Sequence, residues 1–163
     1  MNDIERLYNA AITELNLGSP KKALAIFKQI LQVEPLHLDS LVRCGNIYGK
    51  FGRYHDAISS YDKVLENSPQ NTLALINKGL ALHYLARYDD AIACYDKVLQ
   101  ERPSSTVTLY NKASSLVRAG KVQEGLKTLE KAISLDYSYK YKARADVDFE
   151  FVAKTNEFKR IVL

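Results

Sequence analysis

The phrase Tyr54-His55-Asp56-Ala57-Ile58-Ser59-Ser60-Tyr61-Asp62-Lys63-Val64-Leu65 returns 34 residues later as Tyr88-Asp89-Asp90-Ala91-Ile92-Ala93-Cys94-Tyr95-Asp96-Lys97-Val98-Leu99. A fixed offset of this length marks an array of like units, each of which buries its apolar face only against its neighbours. The same offset back from Ala57 lands on Ala23, in Lys22-Ala23-Leu24-Ala25-Ile26-Phe27, and forward from Ala91 on Gly125, in Glu124-Gly125-Leu126-Lys127-Thr128-Leu129. The expected organisation is a single domain over 1–163, with repeats at about 4–37, 38–71, 72–105 and 106–139 and a C-terminal cap over 140–163.

Each unit reads as two helices. In the first helix of the second unit, Leu41, Cys44, Gly45 and Tyr48 recur at i, i+3, i+4 and i+7; the third unit gives Leu75, Gly79 and Leu82, interrupted by Lys78. That spacing is helical, and strict alternation is absent. Gly18, Gly52 and Gly120 supply the left-handed residue that closes a helix. Ala86 stands in the same place without a glycine's freedom, so a slightly different or strained third turn is expected. Ser19 before Pro20 reads as an N-cap followed by a proline at the first helical position. Pro35, Pro69 and Pro103 end the second helices. Asp39, Asn71 or Thr72, and Ser105 or Thr106 are the expected caps of the following first helices.

Two columns of small residues explain how the helices of a pair approach. Ala11, Gly45, Gly79 and Ala113 lie on the first helices, and Ala23, Ala57, Ala91 and Gly125 on the second. Phe27, Tyr61, Tyr95 and Leu129 fill the space beside them.

The period, these columns, Tyr54 and Tyr88, and the closing prolines resemble the tetratricopeptide repeat family over residues 4–139. The resemblance implies an all-α fold, a right-handed superhelical solenoid of antiparallel helix pairs with four repeats and C-terminal capping helices. The RNA-binding pentatricopeptide family has a period one residue longer and fits the Ala–Tyr–Pro pattern poorly. Departures are informative. Leu7, Leu41, Leu75 and Leu109 replace the large aromatic near each repeat start, Gly125 replaces an alanine, and Tyr137 stands where a proline is expected, so the last second helix is expected to continue or bend. Lys78 and Lys112 occupy leucine places, with stems expected to cover apolar surface while the amines reach water.

Residues 139–163 complete no fifth repeat. Tyr139 to Phe149 reads as a helix extended by Glu150-Phe151-Val152-Ala153, then a short helix capped by Asn156 and carrying Phe158, Ile161, Val162 and Leu163. Asp-x-Asp-Phe-Glu and Asn-Glu-Phe-Lys resemble endings of other arrays of this family. The Tyr137, Tyr139, Tyr141 run with interleaved lysines is read as cap packing rather than nucleic-acid contact.

Composition excludes several classes. With 23 Lys+Arg against 19 Asp+Glu the net charge is +4, too mild to imply nucleic acid or an anionic membrane. No apolar run approaches the ~20 residues that span a bilayer, and the start carries no basic-then-apolar leader, so a cytoplasmic protein is expected. Cys44 and Cys94 lack metal or redox spacing and read as reduced, buried thiols. His37, His55 and His83 lack metal-ligand spacing, and no nucleotide-binding or hydrolase motif occurs. No catalytic residue, metal or cofactor is expected. Asp89-Asp90 is explained by the positive end of a helix, and Asp146-x-Asp148 reads as a carboxylate pair at a helix start or on an exposed face.

The resemblance places the first helix of each pair along a concave groove. The stripe left over from packing is then Glu5, Tyr8, Asn9 and Ile12; Asp39, Val42, Arg43 and Asn46; Leu73, Ile76, Asn77 and Leu80, with His83 a turn beyond; and Val107, Tyr110, Asn111 and Ser114. Tyr84 and Arg118 lie toward the rim. Asn9, Asn77 and Asn111 share one column with Arg43. An asparagine amide pairs with a peptide N–H and C=O together, so this column could hold an extended chain by its backbone; the alternative is a bond to a neighbouring helix. Such an asparagine ladder resembles that of glycosyltransferase-linked arrays of the family. The lysine and arginine places of a chaperone-tail clamp hold Val42, Val107 and Asn111, or Tyr8, Leu73 and Asn77, so that clamp is incomplete.

The functional expectation is a non-enzymatic scaffold that binds a protein or peptide partner in the groove. Self-assembly as a homo-oligomer through the solenoid ends, motivated by Leu73, Val107 and Ile161-Val162-Leu163, is the second reading. An RNA-binding array is the third, opposed by Glu5, Asp39 and the apolar stripe.

Overall fold

A computed structural model describes residues 3–163. Among them are ten α-helices, one 3-10 turn and no strand. In order these are α1 (Asp3–Asn16), α2 (Pro20–Val33), α3 (Leu38–Lys50), α4 (Tyr54–Asn67), α5 (Thr72–Tyr84), α6 (Tyr88–Glu101), α7 (Thr106–Arg118), α8 (Val122–Leu135), α9 (Ser138–Ala145), the 3-10 turn (Val147–Phe149) and α10 (Asn156–Val162). The chain forms two compact units that divide between Ala81 and Leu82, inside α5.

In the first unit, α1 pairs with α2 and α3 with α4. Ala11, Ala23 and Ala57 have no exposed surface, and Phe27 and Tyr61 are buried beside them. The close approach is sharpest at Gly45, where a methyl group would lie 2.5 Å from the Tyr61 ring. In the second unit Ala91 and Ala113 are equally enclosed, as are Tyr95 and Leu129. A methyl group on Gly125 would lie 2.6 Å from Val117 and 3.1 Å from the Ala113 carbonyl oxygen. Small residues therefore set the helix spacing, and the large ones beside them fill it.

The inter-helix turns use one backbone solution. Gly18, Gly52 and Gly120 have φ of 72°, 71° and 82°, and Ala86 is driven to 58°. An L-residue there sets its Cβ against its own carbonyl, so the third turn carries the expected strain.

The helix starts differ from expectation in detail. Ser19 makes no side-chain cap bond, although Pro20 begins α2. α3 is capped by His37, two residues before the expected Asp39, which lies in the first turn; the His37 Nδ1 accepts the Ser40 N–H at 3.2 Å. Asn71 caps α5 through the Ala74 N–H at 3.0 Å. Ser105 precedes α7 but spends its hydroxyl on Thr108, 2.7 Å away.

α8 neither continues nor bends past Leu135. Asp136 leaves the helix in an extended conformation, and its carboxylate accepts the Ser138 N–H at 2.9 Å, doing without the missing proline. The expected helix through Phe149 also breaks. Asp146 is extended at φ −87°, ψ 122°, and its side chain accepts the Asp148 N–H at 3.0 Å, starting a 3-10 turn instead. α10 is capped by Thr155 rather than Asn156, through the Phe158 N–H at 3.2 Å. Phe149, Val152, Phe158 and Val162 join Leu126, Leu129 and Ala132 in one core cluster, so the C-terminal segment closes the apolar end of the second unit.

The two lysines in leucine places do more than reach water. Lys78 pairs with Asp62 at 2.5 Å and Lys112 with Asp96 at 2.7 Å, and the Lys112 side chain is 17% exposed. Asp62 and Asp96 are the aspartates of the repeated Tyr-Asp-Lys-Val-Leu phrase. Each pair ties a second helix to the first helix of the next repeat. At the preceding junction these places hold Lys28 and Cys44. There burial pushes the Cys44 thiol up to about 11, partly offset by the nearby Lys28 charge.

Candidate functional site

The two units treat their first-helix stripes differently. In the first unit, Tyr8 leans on Phe27 and His37, with ring centroids 5.7 and 5.6 Å away, and Ile12 packs against the same cluster. Asn9 and Arg43 are exposed. Asn46 is the polar centre: its Oδ1 accepts both the Tyr61 hydroxyl at 2.7 Å and the Asn77 Nδ2 at 2.8 Å. This bond brings the α3 and α5 stripes together. Asn77 therefore bonds a neighbouring helix, the alternative open to it from the sequence. Leu73 and Leu80, two turns apart on α5, stay 63% and 37% exposed, and Ile76 is half-buried between them.

In the second unit the stripe is covered by the chain itself. Tyr110 and Ser114 are only 2% and 5% exposed. The Tyr110 hydroxyl donates to Asp146 Oδ2 at 2.6 Å, and the Ser114 hydroxyl donates to Asp148 Oδ2. His83 Nε2 lies 3.0 Å from the same Asp148 oxygen, and its Nδ1 lies 2.9 Å from the Ser115 hydroxyl. A carboxylate only accepts, so the Nε2 proton points at Asp148, while the direction of the Nδ1–Ser115 bond follows the ring's tautomer. Arg118 approaches Asp148 Oδ1 at 3.8 Å. Burial pushes the Asp148 carboxyl up, but hydrogen bonds from His83 and Ser114, with the Arg118 charge behind them, hold it below the usual carboxylate range. The Tyr110 hydroxyl is pushed far above its ordinary value, first by burial and then by donating to Asp146. Asn111 is half-buried and Val107 exposed on the same helix.

The sequence points to His83, Tyr110 and Ser114 as groove residues and to Asp146-x-Asp148 as a carboxylate pair at a helix start or on an exposed face. The structure brings these residues together with Ser115, which the sequence pattern does not single out, and leaves the Asp148 side chain only 21% exposed. The available signal was Asp146-x-Asp148-Phe149, whose aromatic is buried at 1% exposure and so carries the two carboxylates inward.

Ser115, His83 and Asp148 form a hydroxyl–imidazole–carboxylate chain of the kind that activates a nucleophile. Here Ser115 has no exposed surface, so an electrophile cannot reach its oxygen without opening the fold. The chain's evident work is to fasten the 3-10 turn to α7 and the end of α5. Among the described residues no group of three or more His, Cys, Asp or Glu is placed to hold a metal, and no helix is long and apolar enough to cross a membrane.

Paired helices with small-residue contacts and left-handed inter-helix turns define the class of helical-repeat interaction proteins. Two tetratricopeptide repeat families match, over residues 42–106 and 107–139. Together these matches cover more than half of the chain, and the protein belongs to the tetratricopeptide repeat family. Proteins of this family are generally non-enzymatic scaffolds, and a protein-interaction or scaffold module is the role the fold defines. No curated protein sequence matches the chain.

Solved structures of MamA share the fold. A MamA RS-1 double mutant is 24% identical with a TM-score of 0.86, the match covering 99% of this chain and 90% of that one. MamA from Desulfovibrio magneticus RS-1 is 23% identical with a TM-score of 0.85 over the same shares of both chains. MamA MSR-1 is 25% identical with a TM-score of 0.75, covering 85% of this chain and 79% of that chain.

Proposed function

We propose that the first unit binds an apolar segment of a partner protein along the stripe of Tyr8, Asn9, Ile12, Arg43, Asn46, Ile76, Asn77 and Leu80. The observation that carries this reading is the exposure of Leu73 and Leu80 beside the Asn46–Asn77 bond. Apolar side chains held in a fixed row and rimmed by amides and a guanidinium are what a partner's apolar face covers. Asn9 and Arg43 supply polar contacts at the edge. Affinity in such a site depends on apolar burial more than on charge, and so only weakly on salt.

The test is quantitative capture with the immobilised full chain, comparing wild type with Leu73→Ser/Leu80→Ser/Arg43→Ala. These side chains are exposed or at the rim, so the variant should keep its helical content and melting temperature. Proteins held by the wild type and lost from the variant support the reading. An identical captured set on both would overturn it.

A further inference from the structure

We propose that the face of Tyr110, Ser114, His83 and Arg118 is a receptor for an extended acidic-x-acidic-aromatic segment. It is filled in cis by Asp146-Val147-Asp148-Phe149 and accepts a partner protein's segment of the same chemistry when the chain's own is released. This inference stands on the second unit alone, independent of the stripe in the first.

The face reads specific chemistry. Each carboxylate has its own hydroxyl donor, Tyr110 for Asp146 and Ser114 for Asp148. His83 adds a second donor to Asp148, and Arg118 brings positive charge to its other oxygen. The ring of Phe149 stands 5.8 Å from that of Tyr110, and the Lys142 ammonium lies 4.3 Å over the same Tyr110 ring. Val147, between the two aspartates, is 72% exposed and unread. The recognition pattern is therefore two carboxylates flanking a free position, followed by an aromatic.

The occupant also has the character of a ligand. It is a 3-10 turn outside the repeats, joined to α9 at Ala145 and followed by turns through Lys154. Its polar contacts to α7 and His83 match the charge of the receptor, and Glu150 and Phe151 beyond it are exposed. A tethered ligand acts at high effective concentration, so a free segment competes poorly until the tether's own contacts are weakened.

The experiment uses the full chain and a fluorescein-labelled peptide of residues 145–151, read by anisotropy. Proteins are the wild type, Asp146→Asn/Asp148→Asn, and the same variant with Phe149→Ala, which also vacates the ring's place. The expected result is at least tenfold tighter binding to the variants than to the wild type. Adding His83→Ala should abolish the gain, and a peptide with both aspartates changed to asparagine should bind none of them. If the triple variant does not fold, the Asp146→Asn/Asp148→Asn chain alone decides. Equal peptide binding by wild type and variants, or binding by none, would overturn the proposal.

Discussion

The Lys112 ammonium lies 2.7 Å from the Asp96 carboxylate, and one repeat earlier Lys78 stands in the same relation to Asp62 at 2.5 Å. Each lysine interrupts an apolar helix face, and each aspartate belongs to the phrase that defines the repeat. The pairs are half-exposed at their carboxylate ends, so their value is modest. A double-mutant cycle on Lys112→Met and Asp96→Ala should give a coupling of about 0.5–1 kcal/mol. It should shrink between low salt and 1 M salt in urea unfolding. A coupling indistinguishable from zero at low salt would remove the pair from the forces joining adjacent repeats.

Ala86 adopts φ 58° where its three counterparts are glycines. Ala86→Gly relieves the left-handed strain and is only partly offset by added freedom in the unfolded chain. It should stabilise the protein by roughly 0.5–1 kcal/mol. Thermal unfolding of the two chains decides, and a lower midpoint for the glycine variant would show that the turn is unstrained.

Overpacking should be costly wherever small residues set the helix spacing. Ala91 has no exposed surface, and Ala91→Leu should cost about 1–3 kcal/mol in chemical denaturation. Gly45→Ala should fall in the same range of roughly 1–3 kcal/mol, because its methyl group meets the Tyr61 ring. An unchanged midpoint for both would mean that the pairs are loosely packed.

Asp148 has a folded pKa below its unfolded value. A depressed carboxylate contributes stability that is complete above its unfolded value near 4 and is lost as pH falls through the folded value. Asp148→Asn should therefore cost about 1–3 kcal/mol at neutral pH. The gap between the two chains should close as pH falls below about 4. A gap that stays constant down to pH 2 would show that Asp148 is not held as a carboxylate.

Cys44 and Cys94 are buried, and the Cys44 thiol is pushed up to about 11. Neither should react with a disulfide reagent at pH 8 until denaturant is added. Stoichiometric modification of the native chain on a timescale of minutes would contradict that burial.

The repeat period made most of the fold legible. Ala57 and Ala91 recur in equivalent buried places because identical helix spacing demands small residues at identical intervals. The Lys78–Asp62 pair was equally written in the period, yet a lysine in a leucine place reads as a solvated stem unless its partner on the preceding helix is sought. The C-terminal segment was less legible. Asp146 has ordinary helical neighbours, but its side chain takes the Asp148 N–H and ends the helix. That local competition between side chain and backbone is invisible to hydrophobic periodicity. The same turn swings both carboxylates onto α7, so Tyr110 and Ser114, which share a stripe with groove positions elsewhere, are already occupied.

The hydroxyl of Tyr61, whose ring lies against Gly45, donates to Asn46, which in turn holds Asn77. This relay runs from the helix contact into the proposed binding stripe. Residues along it answer to folding and recognition together, so substitution at any of them disturbs both. Leu73, Leu80 and Arg43 stand outside the relay. A lineage of such proteins could change its partner by varying those three alone, leaving the scaffold beneath them intact.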